Sequence, residues 1–309
     1  MSVHLTQADW ASLPPEYAIP AQPPSLAEAR EYCRRLATGH YENFSVVTWF
    51  LPKRLHQHFY AVYAYCRISD DLGDEVGNAQ TSLRLLDAWH EELNACYEGR
   101  PKHPVFVALA ETVRECNIPK QPFADLLTAF RQDQTVTRYQ TFEDLLGYCL
   151  NSANPVGRLV LYVCGYRDPE LQQLSDYTCT ALQLANFWQD VAVDLEKDRV
   201  YIPLEVLGRH GYTLEDLFAR RSTPAFRKVM RETVARAREF FIEGLPLASR
   251  VNWRLALDID LFSRGGLRVL DKIAAQNYDV LSRRPAISKA ERVRLLLGSL
   301  ARVALSRAA

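Results

Sequence analysis

Apolar residues recur with the three-to-four-residue spacing of an α-helix along nearly the whole chain, and the alternation typical of a β-strand is nowhere sustained. This spacing predicts helices over 25–37, 53–76, 81–98, 104–117, 121–134, 141–153, 156–165, 169–196, 223–247, 249–276 and 288–306. Residues 197–222 instead hold Pro203, Gly208 and Gly211, which predict a loop with short helical turns. The pattern therefore predicts an all-α protein.

The N-terminal part of the chain has a different pattern. Proline recurs over residues 20–24, and Ser25 followed by Glu28 then forms the capping-box signal of a helix start. We expect residues 1–24 to form a loose N-terminal arm and residues 25–309 to form one helical domain, because the later breaks are brief. A chain of 309 residues of which 48% are hydrophobic can bury one large core.

Two of the predicted helices carry a narrow polar stripe in otherwise apolar surroundings. At about 100° per residue, the first stripe covers an arc of about 60° and consists of Tyr63, Arg67, Asp70 and Asp74. The second covers an arc of about 80° and consists of Gln183, Asn186, Asp190 and Asp194. Each stripe places two aspartates four residues apart, where like charges destabilise a helix. A role other than helix stability must explain them.

Further acids crowd the end of the first predicted helix. If that helix ends near Gly77, Asp71 and Glu75 join the stripe close to the negative end of the helix dipole. A single D-x-x-x-D pattern is usually a solvated helix face, but a second copy on an apolar helix favours a binding site. Carboxylate oxygens suit Mg²⁺, whose protein sites are commonly completed by substrate phosphates. The two stripes are therefore predicted to face each other across a cavity and to bind a diphosphate through Mg²⁺.

Residues 63–75 and 182–194 resemble the two aspartate-rich motifs of the squalene/phytoene synthase family. The likeness extends to residues 148–149, 199–203 and 278–280, and it spans about residues 40 to 285. It implies a single-domain, isoprenoid synthase-like helical bundle around a central cavity, in which residues 25–309 process prenyl diphosphates with Mg²⁺ as the cofactor.

The resemblance also implies roles for individual residues. The implied Mg²⁺ ligands are Asp70, Asp71, Asp74, Glu75, Asn186, Asp190 and Asp194. The implied substrate-binding residues are His40, Asn43, Phe44, Tyr63, Arg67, Gln183, Arg199 and Tyr278. Among these, Arg67 would pair with the diphosphate, while ordinary surface placement is the alternative for His40.

Three short segments resemble the branch of the family that makes hydroxysqualene in bacterial hopanoid synthesis. They are residues 42–45 (E-N-F-S), 152–157 (S-A-N-P-V-G) and 186–190 (N-F-W-Q-D). The middle segment departs from the commoner V-A-x-x-V-G. In that branch, presqualene diphosphate loses its diphosphate, the cation rearranges, and water captures it without a hydride donor. The alternative within the family is head-to-head condensation of two prenyl diphosphates to presqualene diphosphate, squalene or phytoene.

The middle helix is predicted to kink or stop at Pro155, because proline lacks an N–H and clashes with the preceding turn. Our hypothesis is that Asn151, Asn154 and the carbonyl freed by this break hold the attacking water. Equally, Asn154 and Pro155 could form a simple helix–helix turn with asparagine as the C-cap. The resemblance gives Tyr148 a catalytic role, either in proton handling or in presenting its ring to the cation.

Aromatic ring faces stabilise carbocations in dry sites. The rings that the sequence places nearest the motifs are those of Phe44, Tyr63, Phe187, Trp188 and Tyr278. We expect most other aromatic residues to belong to the core.

Composition excludes several classes of protein. Basic and acidic residues both number 37, so no excess positive charge indicates a nucleic acid partner. The seven cysteines include no C-x-x-C pair and mostly have apolar neighbours, which is typical of reduced thiols in a cytoplasmic protein. No apolar run approaches the length of a membrane span, and the N-terminus lacks the pattern of a signal peptide.

Residues 292–307 alternate apolar and arginine positions in an amphipathic helical pattern. This pattern predicts peripheral contact with the inner face of the cell membrane, where C30 substrates and products would reside. Packing of the helix onto the core gives the same pattern and is the alternative.

Contact with neighbouring enzymes of the squalene pathway would suit an apolar intermediate, although no residue indicates it. A non-catalytic helical assembly partner is the alternative outside the enzymes, and the two intact acid stripes argue against it.

Overall fold

The computed structural model describes residues 7–39 and 51–305. In chain order, the helices of the described residues are α1 (Leu26–Gly39), α2 (Lys53–Asp74), α3 (Ala79–Tyr97), α4 (Pro104–Cys116), α5 (Gln121–Gln132), α6 (Phe142–Ser152), α7 (Asn154–Val163), α8 (Pro169–Asp194), α9 (Leu204–Arg209), α10 (Leu214–Phe218), α11 (Pro224–Gly244), α12 (Trp253–Ala275) and α13 (Lys289–Leu305). Over these ranges no strand forms, and a single isolated bridge joins Arg138 and Val200. The predicted all-α class is confirmed.

Contacts divide the chain into two compact units. Unit 1 comprises residues 1–135 and 155–167, and unit 2 comprises residues 136–154 and 168–309. The acid stripe of α2 therefore belongs to unit 1 and that of α8 to unit 2.

The helices begin where the sequence supplies caps. Ser25 and Glu28 form the predicted capping box, since the Ser25 N–H donates to Glu28 Oε2 at 2.8 Å and the Glu28 N–H donates to Ser25 Oγ at 3.3 Å. Thr141 and Asp144 form a second capping box at the start of α6. These bonds satisfy N–H groups that have no partner within the helix.

In unit 1, α2 packs against α1, α3 and α4. Its buried face carries Tyr65, whose ring lies 5.0 Å from that of Phe123 and whose hydroxyl donates to the Phe123 carbonyl at 2.7 Å. One turn on, Ser69 accepts a hydrogen bond from the buried Trp89 indole at 3.0 Å. Because these contacts fix which side of α2 faces the core, they also fix the side on which its polar stripe lies.

In unit 2, α8 packs against α11 and α12 at close range. A Cβ added to Gly244, at the end of α11, would overlap Thr178 on α8. A Cβ added to Gly266 on α12 would overlap the ring of Phe241 on α11. Glycine at these two positions lets the helices approach, which buries the apolar side of α8.

The N-terminal arm differs from the prediction of a loose segment. Residues 7–10 and 15–17 form short 3₁₀ turns, Tyr17 and Leu13 are buried, and Asp9 pairs with Arg84. Burial of one tyrosine and one leucine, together with an ion pair, holds this stretch against the helices of unit 1, to which it belongs. The sequence pattern gave no periodic signal for contacts of this kind.

Most of the other predictions for the elements are confirmed. Residues 197–222 hold only the short helices α9 and α10, as predicted for a loop with helical turns. The seven cysteines form no disulfide, and four of them, Cys33, Cys96, Cys116 and Cys149, are buried. Within the described ranges, no helix combines the length and the apolar character that crossing a bilayer requires.

Candidate active site

Asp70 and Asp71 are neighbours in the first stripe, yet their surroundings differ. Arg67 Nη2 lies 2.6 Å from Asp71 Oδ1, and the Tyr17 hydroxyl donates to Asp71 Oδ2 at 2.7 Å. The Asp71 side chain is only 7% exposed, whereas that of Asp70 is 52% exposed and lies 4.0 Å from Arg67 Nη1. Both oxygens of Asp71 therefore accept protein hydrogen bonds, and Asp70 presents its carboxylate outward.

The Tyr17–Asp71 contact has an electrostatic consequence. Burial, followed by the hydrogen bond to Asp71, raises the pKa of the Tyr17 hydroxyl well above its usual value. The tyrosine therefore stays neutral and acts as a donor. Arg67 and Tyr17 together hold Asp71 in place, so both of its oxygens already have protein partners, and metal binding by Asp70 and Asp71 stays a prediction.

The C-terminal end of α2 concentrates acids as the sequence predicts. The helix ends at Asp74, three residues before Gly77, and Glu75 is the C-cap, with its N–H bonded to the Asp71 carbonyl. Gln134 Nε2 donates to the Gly73 carbonyl at 3.1 Å, which satisfies one carbonyl of the last turn. Asp70, Asp74 and Glu75 are exposed at this end.

The second stripe lies on the less buried side of α8. Asn186 is exposed, and Gln183, Asp190 and Asp194 are partly buried. Around the stripe, the helix is buried through Ala181, Leu184, Ala185, Phe187, Trp188 and Val191. The predicted arrangement of one polar face on a buried helix is confirmed for α8.

Asp194 and Asp190 have different electrostatic environments. Burial, together with the negative charge of Asp190, raises the pKa of Asp194 to about 7, and Arg199 and Lys197 offset only part of this effect. Asp190 instead has a guanidinium partner, because Arg284 donates through Nε to Oδ1 and through Nη2 to Oδ2, the latter at 3.1 Å. A divalent cation at this position would relieve the repulsion between the two carboxylates.

The segment that supplies Arg284 is fixed to α8 by a second bond. Gln189 Nε2 donates to the Pro285 carbonyl at 2.6 Å, one residue from the Asp190–Arg284 pair. Sequence reasoning missed Arg284, although the adjacent arginines Arg283 and Arg284 follow residues 278–280, which carry part of the family resemblance. Tyr17, Gln134 and Thr180 were missed as well, and no local pattern marks them.

Four rings of unit 2 form a cluster beside the second stripe. Phe187 stacks on Tyr201 with ring centroids 3.7 Å apart and planes inclined by 9°. Tyr148 lies 6.2 Å from Phe187 and 6.1 Å from Tyr201, and Tyr139 lies 5.6 Å from Tyr148. A small pocket is lined by Phe187, Tyr201 and Asp194, which connects the cluster to the acid stripe. The sequence pointed to Phe187 and Tyr148 but not to Tyr139 or Tyr201 as cluster members.

The loop after α8 positions Tyr201 in this cluster. The Arg199 N–H donates to the Asp194 carbonyl at 2.9 Å, and the Val200 N–H donates to the Thr137 carbonyl at 2.9 Å. Arg138 Nη2 also donates to Asp198 Oδ1 at 2.5 Å. These bonds tie residues 198–201 to the segment that carries Tyr139.

The middle helix stops at the position that proline predicts. α6 ends at Ser152 and α7 begins at Asn154, so Pro155 lies in the first turn of the new helix. The C-cap of α6 is Ala153, which corrects the alternative that Asn154 caps it. Asn154 is buried, and its Oδ1 accepts a hydrogen bond from Thr180 Oγ1 on α8 at 2.9 Å.

The remaining predicted residues have less defined surroundings. Tyr63 is half-buried, and burial raises the pKa of its hydroxyl. Tyr278 has a left-handed backbone with φ of 61°, and the guanidinium of Arg231 lies 5.3 Å from its ring centroid. Asn151 is half-buried, and Trp188 is fully buried. The predicted residues His40, Asn43 and Phe44 lie outside the described residues.

The donor set suits a hard cation. Among residues 7–39 and 51–305, no three His, Cys, Asp or Glu side chains gather into a metal-binding group. Mg²⁺ is commonly held by one or two carboxylates, with waters and substrate phosphates completing its shell. The pair Asp190 and Asp194, with the exposed amide of Asn186 one turn before, fits that mode, as do Asp70 and Asp74 on α2.

Comparisons with known proteins agree with the resemblance. The family model "Squalene/phytoene synthase" matches residues 37–291. Phytoene synthase from Arthrospira platensis is 32% identical over 279 residues, which cover 85% of this chain and 89% of that protein. Two further phytoene synthases, from Synechococcus elongatus and Arabidopsis thaliana, are 32% and 29% identical, and the matches cover 92% and 68% of those proteins.

Two solved structures have the same fold. The crystal structure of squalene synthase HpnC from Alicyclobacillus acidocaldarius is 45% identical, with a TM-score of 0.79, and the match covers 88% of this chain and 99% of that one. A dehydrosqualene synthase in complex with ligand is 24% identical, with a TM-score of 0.80 over 90% of this chain and 97% of that one. At 24% identity the second match shows the fold alone. The chain has an isoprenoid synthase-like helical fold and belongs to the squalene/phytoene synthase family, whose members act on prenyl diphosphates.

Proposed function

We propose that this chain is a hydroxysqualene synthase, which ionises presqualene diphosphate and captures the resulting cation with water. The observation that carries the proposal is the 45% identity to squalene synthase HpnC, against about 32% to phytoene synthases. The S-A-N-P-V-G segment supports it, because its Asn154 is a buried polar residue bonded to Thr180. An amide held in this way can offer its remaining donors to a water molecule.

Diphosphate binding would rest on the acid stripes and their neighbouring cations. Mg²⁺ would be held by Asp70 and Asp74 on α2 and by Asn186, Asp190 and Asp194 on α8, and when bound it would neutralise charge on the departing diphosphate. Arg67 would pair with diphosphate oxygens, because a guanidinium binds such oxygens in a bidentate manner. Asp71 would position Arg67 for this contact through its 2.6 Å ion pair.

The ring cluster would stabilise the cation that ionisation leaves. Phe187 and Tyr201 are stacked, and the ring centroid of Tyr148 lies 6.2 Å from that of Phe187 and 6.1 Å from that of Tyr201. A cation over an aromatic face gains about 2 kcal/mol or more when the site is dry. We assign Tyr148 this role because its ring is buried within the cluster.

Water capture would complete the reaction. The water oxygen forms a C–O bond to the cationic carbon, and the proton it loses passes to the released diphosphate. Asn154 would hold this water with Asn151, while Thr180 fixes the orientation of the Asn154 amide at 2.9 Å. Transfer of the apolar alcohol to a neighbouring enzyme of the squalene pathway stays a prediction.

Head-to-head condensation is the second candidate, with presqualene diphosphate, squalene or phytoene as the product. The specific observation that favours it is the set of curated relatives named phytoene synthase. A non-catalytic assembly role is disfavoured because both acid stripes are complete.

One incubation separates the two enzymatic candidates. The purified chain with Mg²⁺ is given presqualene diphosphate, farnesyl diphosphate or geranylgeranyl diphosphate in separate reactions containing ¹⁸O-labelled water. We expect diphosphate release and a labelled alcohol from presqualene diphosphate alone. Hydrocarbon or presqualene diphosphate formed from farnesyl or geranylgeranyl diphosphate would replace the proposal with condensation.

The role of Asn154 is tested with a matched pair of variants. Asn154→Ala removes the amide, whereas Thr180→Val removes only the hydroxyl that orients it. We expect the ratio of alcohol to hydrocarbon product to fall about tenfold in Asn154→Ala and less in Thr180→Val. An unchanged ratio in Asn154→Ala would remove the asparagine from water capture while leaving the main reaction in place.

A further inference from the structure

The C-terminal helix α13 is docked through one face only. Lys272 Nζ lies 2.8 Å from Glu291 Oε2, and Arg302 Nη2 lies 2.7 Å from Asp260 Oδ2, so ion pairs tie both ends of α13 to α12. Lys272, the Ser288 backbone and further donors hold the pKa of Glu291 well below its usual range. These contacts fix the rotation of α13 about its axis.

The opposite face of α13 is an exposed aliphatic stripe, formed by Val293, Leu297 and Leu300. Their spacing of four and three residues places them within an arc of about 60°. They are 57%, 62% and 41% exposed, and Leu305 near the helix end is 70% exposed. Single exposed aliphatic residues are ordinary, but a contiguous stripe over two turns indicates an interaction site. The core-packing interpretation therefore applies to the ion-paired face and not to this stripe.

Positive charge surrounds the stripe. Lys289, Arg292 and Arg294 are exposed beside it. Over residues 289–305 the chain has four basic residues, of which Arg302 is paired with Asp260 on α12, and one acidic residue, Glu291, which is paired with Lys272 on α12. The chain as a whole has no net charge, so this is a local excess.

We propose that α13 lies in the plane of an anionic phospholipid surface, with the aliphatic stripe inserted and the basic residues at its edges. Helices of this type combine a narrow apolar face with flanking lysine and arginine. Each basic residue near an anionic bilayer adds attraction that salt screens. A second copy of the chain fits the stripe less well, because the basic edges of the two copies would meet. The proposal does not depend on which reaction the active site performs.

Flotation with vesicles tests the proposal on the full chain. The vesicles are phosphatidylcholine alone, or phosphatidylcholine with phosphatidylglycerol, each at low and high salt. The test variant is Val293→Gln/Leu297→Gln/Leu300→Gln, since glutamine keeps helix propensity and removes only the apolar face. We expect the wild type to float with phosphatidylglycerol vesicles, and the variant to lower the bound-to-free ratio about tenfold or more. High salt should lower wild-type binding, because the basic residues contribute.

A matched control separates the stripe from general surface hydrophobicity. Leu26→Gln/Ile242→Gln removes two exposed aliphatic residues from α1 and α11 and should leave flotation unchanged. The circular dichroism spectrum and the turnover of the triple variant should equal those of the wild type. Deletion of α13 is a poorer test, because it would also remove the ion pairs between α13 and α12. Absence of wild-type flotation, equal loss in the control, or a wild-type dimer by light scattering that the triple variant abolishes would each overturn the membrane proposal.

Discussion

The two acid stripes repeat one pattern but neutralise their charges differently. On α2, the cation comes from the stripe itself, because Arg67 stands four residues before Asp71 and pairs with it at 2.6 Å. On α8, Arg284 reaches Asp190 from 94 positions along the chain. Asp194 stays partly buried beside Asp190, with its pKa raised to about 7 by burial and by that neighbour. In the first stripe, the negative charge of Asp71 is neutralised by a residue of the same stripe. In the second stripe, Asp190 and Asp194 repel each other, and a metal ion would relieve that repulsion.

Within the first stripe, Asp70 and Asp71 are expected to have different roles. Asp71 is bonded to Arg67 and Tyr17, so its loss should weaken the fold, whereas Asp70 is exposed and should matter for binding. In the second stripe, the residue that destabilises the metal-free protein is also the one proposed to bind Mg²⁺. Functional sites often keep such locally unfavourable groups.

The largest expected effect is on catalysis. Asp194→Asn removes a proposed metal ligand, and we expect kcat/KM for presqualene diphosphate, or for whichever prenyl diphosphate the chain turns over, to fall at least about 100-fold. Stability should not fall, because the substitution also removes the repulsion with Asp190. Glu196→Gln, an exposed acid two residues later, is the control and should keep its activity. Full activity in Asp194→Asn would break the assignment of α8 as a metal-binding helix.

The second prediction concerns stability and separates Asp71 from Asp70. Asp71→Asn removes the closest charged partner of Arg67 and weakens the bond from Tyr17, so we expect the free energy of unfolding to fall by about 2 kcal/mol. Urea unfolding measures it. Asp70→Asn, on the same helix but largely exposed, should change stability by less than about 0.5 kcal/mol while lowering activity. Equal stability of the two variants would contradict the structural role given to Asp71.

The third prediction is a pH dependence specific to the second stripe. The pKa of Asp194 is higher in the folded state than in the unfolded chain, so the folded protein holds that proton more tightly. The stabilisation that comes from the proton on Asp194 is therefore complete below about pH 4 and is lost as the pH rises through about 7. In EDTA, we expect wild-type stability to fall by about 1–2 kcal/mol over this range, after allowance for solvent screening. Asp194→Asn should flatten that slope, and Mg²⁺ at pH 8 should raise the melting temperature of the wild type more than that of the variant, which keeps only the acids of α2 intact.

Asp258 provides the control for this experiment. Burial alone raises its pKa to about 8, and on α12 it is not among the proposed metal ligands. Asp258→Asn should also flatten the slope, but the effect of Mg²⁺ should persist. If Mg²⁺ stabilises Asp194→Asn as much as the wild type, the ion binds elsewhere.

The sequence predicts the helices and the composition of both stripes because these depend on local periodicity. Asp70, Asp74, Asp190 and Asp194 share faces through spacing alone, and Pro155 ends a helix wherever it is placed. The fold class likewise follows from uninterrupted helical periods and brief breaks. Each of these properties involves residues a few positions apart.

The residues that pair with the stripes could not be predicted, because they lie far from the stripes in the sequence. Tyr17 reaches Asp71 across 54 positions, and Arg284 reaches Asp190 across 94. Tyr201 joins Phe187 only because the bonds of residues 198–200 turn the chain back toward α8. Such contacts depend on tertiary packing, which periodicity does not encode. The packed N-terminal arm was missed for the same reason.

The smallest expected effect concerns Arg284. Because its guanidinium occupies both oxygens of Asp190, it competes with a cation for that carboxylate. Arg284→Gln should therefore tighten Mg²⁺ binding about threefold, measured by the shift in melting temperature with Mg²⁺ concentration. Stability without metal should fall by less than about 1 kcal/mol, since the pair is half-exposed. Arg283→Gln, the adjacent arginine, should change neither quantity. Weaker Mg²⁺ binding in Arg284→Gln would contradict this prediction. Arg284 would then support Mg²⁺ binding at the second stripe instead of competing with it.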